Sequence, residues 1–234
     1  MKNDPRRALI DKCFRELPVF RNLSDEHLTQ LSRDFITQNV KKGEVIFYQS
    51  DMSNDLYIVI EGSVRASLMG EGGEELILTT FNKCDFFGEM SLLDGKPRSA
   101  TIIAEEESIL GVLKRERLLS AIKNDPVIAI DLLSAVVQRL RMADSMIESL
   151  AFLDVSERVV KLFLQIARTT GEKDKNGFFR IKRLTHKELA SHTGASREAI
   201  TKAMKVLAFR KIIREEENYF MISPDAERIA EKTM

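Results

Sequence analysis

In the stretch DFFGEMSLLDGKPRSA, residues 85–100, a carboxylate, Glu89, and a guanidinium, Arg98, stand either side of a Leu-Leu pair and a Gly-Lys-Pro turn. An ionised carboxylate accepts hydrogen bonds from hydroxyl groups, and an arginine offers a planar fork of donors that suits a phosphate. Gly88 opens a brief helical run, GEMSLL, which includes Met90 and Ser91. Backbone N–H groups at such a start favour an anion, and glycine permits close approach. Ser99, next to Arg98, adds a hydroxyl donor. Phosphate and sugar hydroxyl gripped by one loop point to a nucleotide. A Glu89–Arg98 ion pair that merely braces the loop is the competing reading.

A second constellation occupies residues 184–213, LTHKELASHTGASREAITKAMKVLAFRKII. Thr185 with Glu188 three residues on has capping-box spacing, Gly194 suits a turn at positive φ, and Ser196 can cap a second helix. Ile200, Ala203, Met204 and Leu207 give that helix an apolar stripe. Arg197, Glu198, Thr201, Lys202 and Lys205 occupy its other side, weighted to the N-terminal half, where a helix in a major groove presents base-reading side chains. Arginine and lysine reach guanine acceptors, and glutamate accepts from the cytosine amino group. Together with Thr185 and Ser196 these are the expected DNA contacts. As surface chemistry alone, Glu198 and Lys202 are an i, i+4 pair worth a few tenths of a kcal/mol. The charge distribution favours nucleic acid: residues 153–234 carry 17 basic and 12 acidic groups, leaving −5 on the remainder of a neutral chain, and residues 180–214 carry 10 against 2.

The elements that must position these groups follow from composition. A helix capped at Ser24 precedes short β-rich runs from residue 40 to 115, where eight of the eleven glycines lie between 43 and 111. That spacing predicts a small antiparallel barrel or sandwich, with GEGG at 70–73 as a hairpin tip. Residues 125–154 then lack any glycine, and Asp125 and Pro126 start one long helix. Leu133, Val136, Val137 and Leu140, continued by Ala143, Ile147 and Leu150, form a heptad-like stripe. A helix some 40 Å long (1.5 Å per residue) exceeds what one small barrel can cover, so a parallel two-fold dimer is expected. Asp154 and Glu157 have capping-box spacing. TTGEKDKNGFF at 169–179 reads as a flexible polar loop, FFRIKRL as a strand, and KIIREEENYFMISP as a two-stranded wing with an acidic tip. The expected class is α+β in three parts: a β-domain over 1–124, the helix and hinge over 125–153, and a winged helix-turn-helix over 154–234.

At 234 residues, 44% hydrophobic and 31% charged, the chain has the composition of a soluble globular protein. It contains no apolar run of the length a membrane helix needs, and its N-terminus lacks a signal-peptide core, so no membrane partner and a cytoplasmic location are expected. Cys13 and Cys84 are expected as reduced thiols, and His27, His186 and His192 do not make a metal set. No paired carboxylates or activated nucleophile stand out. The expectation is therefore no catalytic residue, no metal and no enzyme; a nucleotide-hydrolysing enzyme with a docking module is the least supported alternative.

FGEMSLLDGKPRSA resembles the phosphate-binding cassette of cyclic-nucleotide-binding domains. Cassette, long helix and winged helix-turn-helix in that order resemble the CRP/FNR family of bacterial transcription regulators over essentially the whole chain, with LAFLDV and SREAITK closest to its cyclic-AMP receptor branch. The resemblance implies a homodimer on a palindromic operator with TGTGA-like half-sites, read by Arg197, Glu198 and Lys202, and contact with RNA polymerase. It implies that Gly88, Arg98 and Ser99 hold the cyclic phosphate and Glu89 the ribose 2′-hydroxyl, with cyclic AMP the expected effector and cyclic GMP or another nucleotide the alternative. Two departures bear on specificity. Lys202 stands where the branch has arginine and loses the bidentate fork. Ala143 and Asp144 stand where a Thr-Ser pair meets the adenine, so the base, or the need for any ligand, stays open.

Overall fold

The structure is a computed structural model that describes residues 5–17, 19–20, 22–33 and 35–231; the ends of the expected spans, 1–4 and 232–234, lie outside the described residues. In chain order the elements are α1 (Pro5–Glu16), α2 (Asp25–Arg33), β1 (Ile36–Val40), β2 (Val45–Phe47), β3 (Leu56–Glu61), β4 (Val64–Met69), β5 (Glu75–Phe81), β6 (Phe86–Phe87), α3 (Glu89–Asp94), β7 (Thr101–Ala104), β8 (Ser108–Leu113), α4 (Arg115–Asn124) and α5 (Val127–Phe152). They continue with α6 (Val155–Thr170), β9 (Glu172–Lys173), β10 (Phe179–Lys182), α7 (His186–Thr193), α8 (Arg197–Phe209), β11 (Ile213–Glu215), β12 (Tyr219–Ile222) and α9 (Asp225–Glu231). Two compact units result, one of residues up to 69 with 78–142, the other of 70–77 with 143 onward.

In the first unit, two four-stranded sheets of order β1-β8-β3-β6 and β2-β7-β4-β5 share one apolar interior. Both sheets contribute alternate residues, among them Val59 and Leu110 from one and Val64 and Ile102 from the other. A second cluster, built on Phe14, Leu17, Phe20, Leu56 and Leu118, packs α1, α2 and α4 on the outer side of β3. Ile128 and Leu132 of α5 close it, and Val127 N–H donates to the Asp125 carboxylate at the start of that helix. Farther along α5, Leu133 is 64% exposed, Leu140 61% and Ile147 64%; Val137 and Leu150 are also exposed, and Val136 is half-buried.

Cys13 and Cys84 are not separate thiols. The structure joins them in a disulfide across 71 residues, with Cα atoms 5.0 Å apart. The expectation of reduced thiols rested on count and spacing; it had no means of seeing that α1 lies against the turn before β6.

The second unit has one core, in which Val159, Phe163 and Leu164 of α6 meet Leu189, Ile200, Leu207 and Phe220. Its antiparallel sheet has the order β11-β12-β10-β9. The expected flexible loop is instead a tight hairpin: β9 pairs with β10, and the Asp174 carboxylate accepts from the N–H groups of Asn176 and Phe178. Three helix starts are capped as the sequence implies, by Asp154, Thr185 and Ser196, the first two as full capping boxes. At the joint with α5, Lys161 Nζ donates to Ser149 Oγ at 2.6 Å and Ser145 Oγ at 3.1 Å, and Arg158 Nη1 donates to the Leu153 carbonyl at 2.8 Å. No helix of the described residues is long and apolar enough to cross a membrane.

The Thr185 cap has a pH signature. Burial pushes the Glu188 carboxyl pKa up, but hydrogen bonds from the Thr185 N–H and hydroxyl outweigh it and hold the group below the usual carboxylate value. A depressed folded pKa contributes stability at neutral pH that is lost as pH falls through the carboxylate range. Denaturant unfolding of the C-terminal unit between pH 7 and 3 should therefore show declining stability below about pH 4.5. Thr185→Val should cost about 1 kcal/mol at pH 7 and make that decline shallower.

Candidate nucleotide site and nucleic-acid interface

Strand β6 delivers the chain to Gly88 at φ 85°, a left-handed conformation that glycine adopts without strain. A side chain there would also collide, since a Cβ would stand 2.6 Å from Arg98 Nη1 and 2.9 Å from the Asp55 carbonyl oxygen. The glycine thus lets the backbone lie directly against the guanidinium.

Arg98 is 3% exposed. Its Nε donates to Ser53 Oγ at 2.8 Å, Nη1 to the Gly88 carbonyl at 2.9 Å and Nη2 to the Asp55 carbonyl at 2.9 Å. The guanidinium lies 4.1 Å from the centre of the Phe47 ring and 5.7 Å from that of Tyr57. Burial pushes its pKa down, opposed by Tyr57, Asp55, Glu89 and Asp51, and a guanidinium stays charged regardless. Its own backbone is clamped in both directions, Arg98 N–H to the Asp51 carbonyl and Ser50 N–H to the Arg98 carbonyl. Three of the five N–H groups of an arginine are spent on these contacts, and two are not.

Glu89 is 3% exposed, and the cation that answers it is Arg139 of α5. The bracing Glu89–Arg98 pair is thereby replaced. Arg139 also donates to the Phe86 carbonyl and lies over the rings of Phe86, at 4.7 Å, and Phe81, at 5.0 Å. Sequence reasoning missed Arg139. The usable signal was its place four residues before Ala143, hence on the face of the helix that the resemblance turns toward the ligand. Met90 is exposed and Ser91 buried in the single turn α3, and Ser99 Oγ donates to Met90 Sδ at 3.4 Å. Ala143 and Asp144 are exposed on the part of α5 that belongs to the second unit.

In the second unit, α7, Gly194 at φ 61° and α8 make the helix-turn-helix. Ile200, Ala203, Met204 and Leu207 are buried, whereas Arg197, Glu198, Lys202 and Lys205 are exposed on the opposite face. The Glu198 carboxyl is held below its usual pKa by its own backbone N–H and by Ser196, so it is a pure acceptor at neutral pH. The hydroxyls expected to touch DNA have internal duties. Ser196 caps Ala199, Thr185 serves its capping box, and Thr201 Oγ1 meets both the Arg197 carbonyl and His186 Nδ1, the latter at 3.0 Å. Thr201 therefore bridges the two helices.

Two family models match: a cyclic nucleotide-binding domain over residues 37–125 and a Crp-like helix-turn-helix domain over 157–231. The CRP-like cAMP-activated global transcriptional regulator of Mycobacterium tuberculosis is 32% identical over 225 residues, covering 95% of this chain and 99% of that protein. The chain belongs to the CRP/FNR family of transcription regulators. The Cyclic AMP receptor protein of Thermus thermophilus is another relative, 34% identical over 84% of this chain and 88% of its own length. The c-di-GMP-responsive global regulator CLP of Xanthomonas campestris shares the fold with a TM-score of 0.75 at 22% identity, over 85% of this chain and 99% of that one. CRP/FNR membership accounts for the α+β order of β-roll, long helix and winged helix-turn-helix described above.

Removing Arg139 should expose the cost of its partner. Arg139→Met leaves a buried carboxylate without its cation and should lower stability in urea by about 3 kcal/mol. The double variant with Glu89→Gln should recover a substantial part of that loss.

Proposed function

We propose that the chain is a homodimeric, sequence-specific DNA-binding regulator of transcription controlled by a cyclic nucleotide, with cyclic AMP the effector. The carrying observation is the pairing of a buried carboxylate with an oriented guanidinium. Glu89 can accept from a ribose hydroxyl while Arg98 turns its two unspent N–H groups to the cyclic phosphate. Gly88 and Ser99 complete the phosphate cradle, Met90 and Ser91 form its floor, and Arg139 shares Glu89 with the sugar. Two cAMP-named relatives spanning most of this chain support the choice of base, and Asp144 is suited to accept from an adenine amino group.

A second subunit would cover the ridge of Leu133, Val137, Leu140, Ile147 and Leu150, whose exposure in a single chain is uncommon for so long an apolar line. The dimer would set two α8 helices about 34 Å apart, in successive major grooves of a palindromic site with TGTGA-like half-sites. Arg197, Glu198 and Lys202 would read bases, and Lys205 would meet phosphate. Nucleotide would act by favouring the DNA-competent arrangement, with DNA tightening nucleotide in return. Such a protein works where the chromosome is, in the cytoplasm beside RNA polymerase, and as a regulator rather than an enzyme.

One observation favours a second reading. The Arg139 ion pair satisfies Glu89 from within the chain, as a ligand-independent regulator would require. Calorimetric titration with cyclic AMP and cyclic GMP separates the two: binding of cyclic AMP abolished by Arg98→Leu supports the sensor, and no binding of either supports ligand independence. On a labelled palindrome, Arg197→Ala should cost about 1–3 kcal/mol and relax preference at one base pair. Lys205→Ala should weaken all sequences alike and reduce the salt dependence by about one ion.

A further inference from the structure

The Cys13–Cys84 bond has no place in the reading above, yet it is tied to the nucleotide site by a short length of chain. Cys13 lies on α1 with no exposed surface, and Cys84 is half-buried in the turn that precedes β6. Four residues beyond Cys84 is Gly88, and between them Phe86 supplies the carbonyl and ring that receive Arg139. The turn is pinned to β3 from both sides: Cys84 N–H donates to the Val59 carbonyl at 2.7 Å, and Val59 N–H to the Asp85 carbonyl at 2.9 Å. Cys84 takes a φ of 63°, uncommon for a residue with a side chain.

We propose that Cys13 and Cys84 form a reversible redox site that controls how firmly the approach to the nucleotide cassette is held. The inference rests on the regulator reading in one respect. A protein acting on chromosomal DNA sits where thiols are kept reduced, and disulfides that form there are mostly transient and redox-sensing. Both oxidation states are accommodated. The Cα separation of 5.0 Å suits the bond. Beside each sulfur of the disulfide lies an acceptor for the proton of its thiol, the Ile60 carbonyl 3.9 Å from Cys13 Sγ and Glu16 Oε2 3.3 Å from Cys84 Sγ.

The oxidant is a peroxide, and the half-buried Cys84 is where it enters. The Cys84 sulfur attacks one peroxide oxygen, the O–O bond breaks, and water leaves as Cys84 becomes a sulfenic acid. Cys13 sulfur then displaces the sulfenic oxygen as a second water and the S–S bond forms. Two thiols and one hydrogen peroxide thus give one disulfide and two waters, with two electrons passing from sulfur to oxygen. A dithiol reductant reverses the change by exchange. In the oxidised form α1 is tethered to the turn, β6 is restrained and the cassette is preorganised for its ligand.

The test uses the full chain, reduced with a phosphine or treated with hydrogen peroxide, with thiols counted by alkylation and mass. Two thiols should fall to none. Cyclic AMP should bind about fivefold more tightly to the oxidised form, the gain expected of preorganisation, and amide hydrogen exchange over residues 85–89 should slow. Cys84→Ser and Cys13→Ser should bind alike under both treatments. Thiols that remain at two, or equal affinity and equal exchange in both forms, would overturn the proposal. Should neither form bind nucleotide, the regulator reading loses its effector and exchange alone decides: slowing over 85–89 upholds the redox site, and unchanged rates reject it.

Discussion

A charged side chain removed from water costs free energy unless an opposite charge and hydrogen bonds meet it. Glu89, 3% exposed, is met by Arg139, and that pair ties the cassette to the long helix. The cation comes from α5, far along the chain, so the turn after β6 and the middle of the long helix are bound to one another by charge. The guanidinium also lies over the aromatic rings of Phe81 and Phe86, so charge is not its sole tie to the sheet. Any group that sought Glu89 would compete with Arg139, so the carboxylate and the long helix cannot be perturbed independently.

The two arginines of the site are therefore unlike in kind. Arg98 is oriented by neutral acceptors on the loops that surround it, and no carboxylate forms an ion pair with it among the described residues. Arg139 is neutralised within the chain and serves as a link between helix and cassette. The proposed sensor needs both kinds of cation, one for the ligand and one whose partner changes when the ligand arrives. That is the physical content of coupling: a ligand shifts an equilibrium only through contacts that differ between the states.

Much of this was legible from local pattern. Glycine-punctuated alternation gave the antiparallel strands, and Asp154, Thr185 and Ser196 marked helix starts because a short polar side chain before an apolar period has few other uses. Gly88 beside a carboxylate and Gly194 between two helices were readable because glycine takes a positive φ without strain. What escaped was pairing at a distance. Arg139 looks like any helix arginine until β6 is folded against it, and Cys13 and Cys84 carry no signal of proximity across 71 residues. The β9–β10 hairpin hid behind a polar composition that suits loops, because its order comes from Asp174 accepting two backbone N–H groups. Helical phase places Thr201 among the polar positions of α8 but does not show its contact with His186, which depends on the crossing of α7 and α8.

The joint between α5 and α6 is fastened in an unusual manner. Lys161 reaches two serine hydroxyls, Ser149 passes a hydrogen bond on to the Ser145 carbonyl, and Arg158 meets the Leu153 carbonyl. Of the two cations, Arg158 rests on the negative end of the α5 dipole, whereas Lys161 bonds to serine side chains of its last two turns. Forces between a charge and a dipole fall gradually with displacement, unlike the steep contacts of an interlocked apolar seam. The Arg158 contact with the Leu153 carbonyl consequently tolerates a small displacement better than a packed apolar contact would.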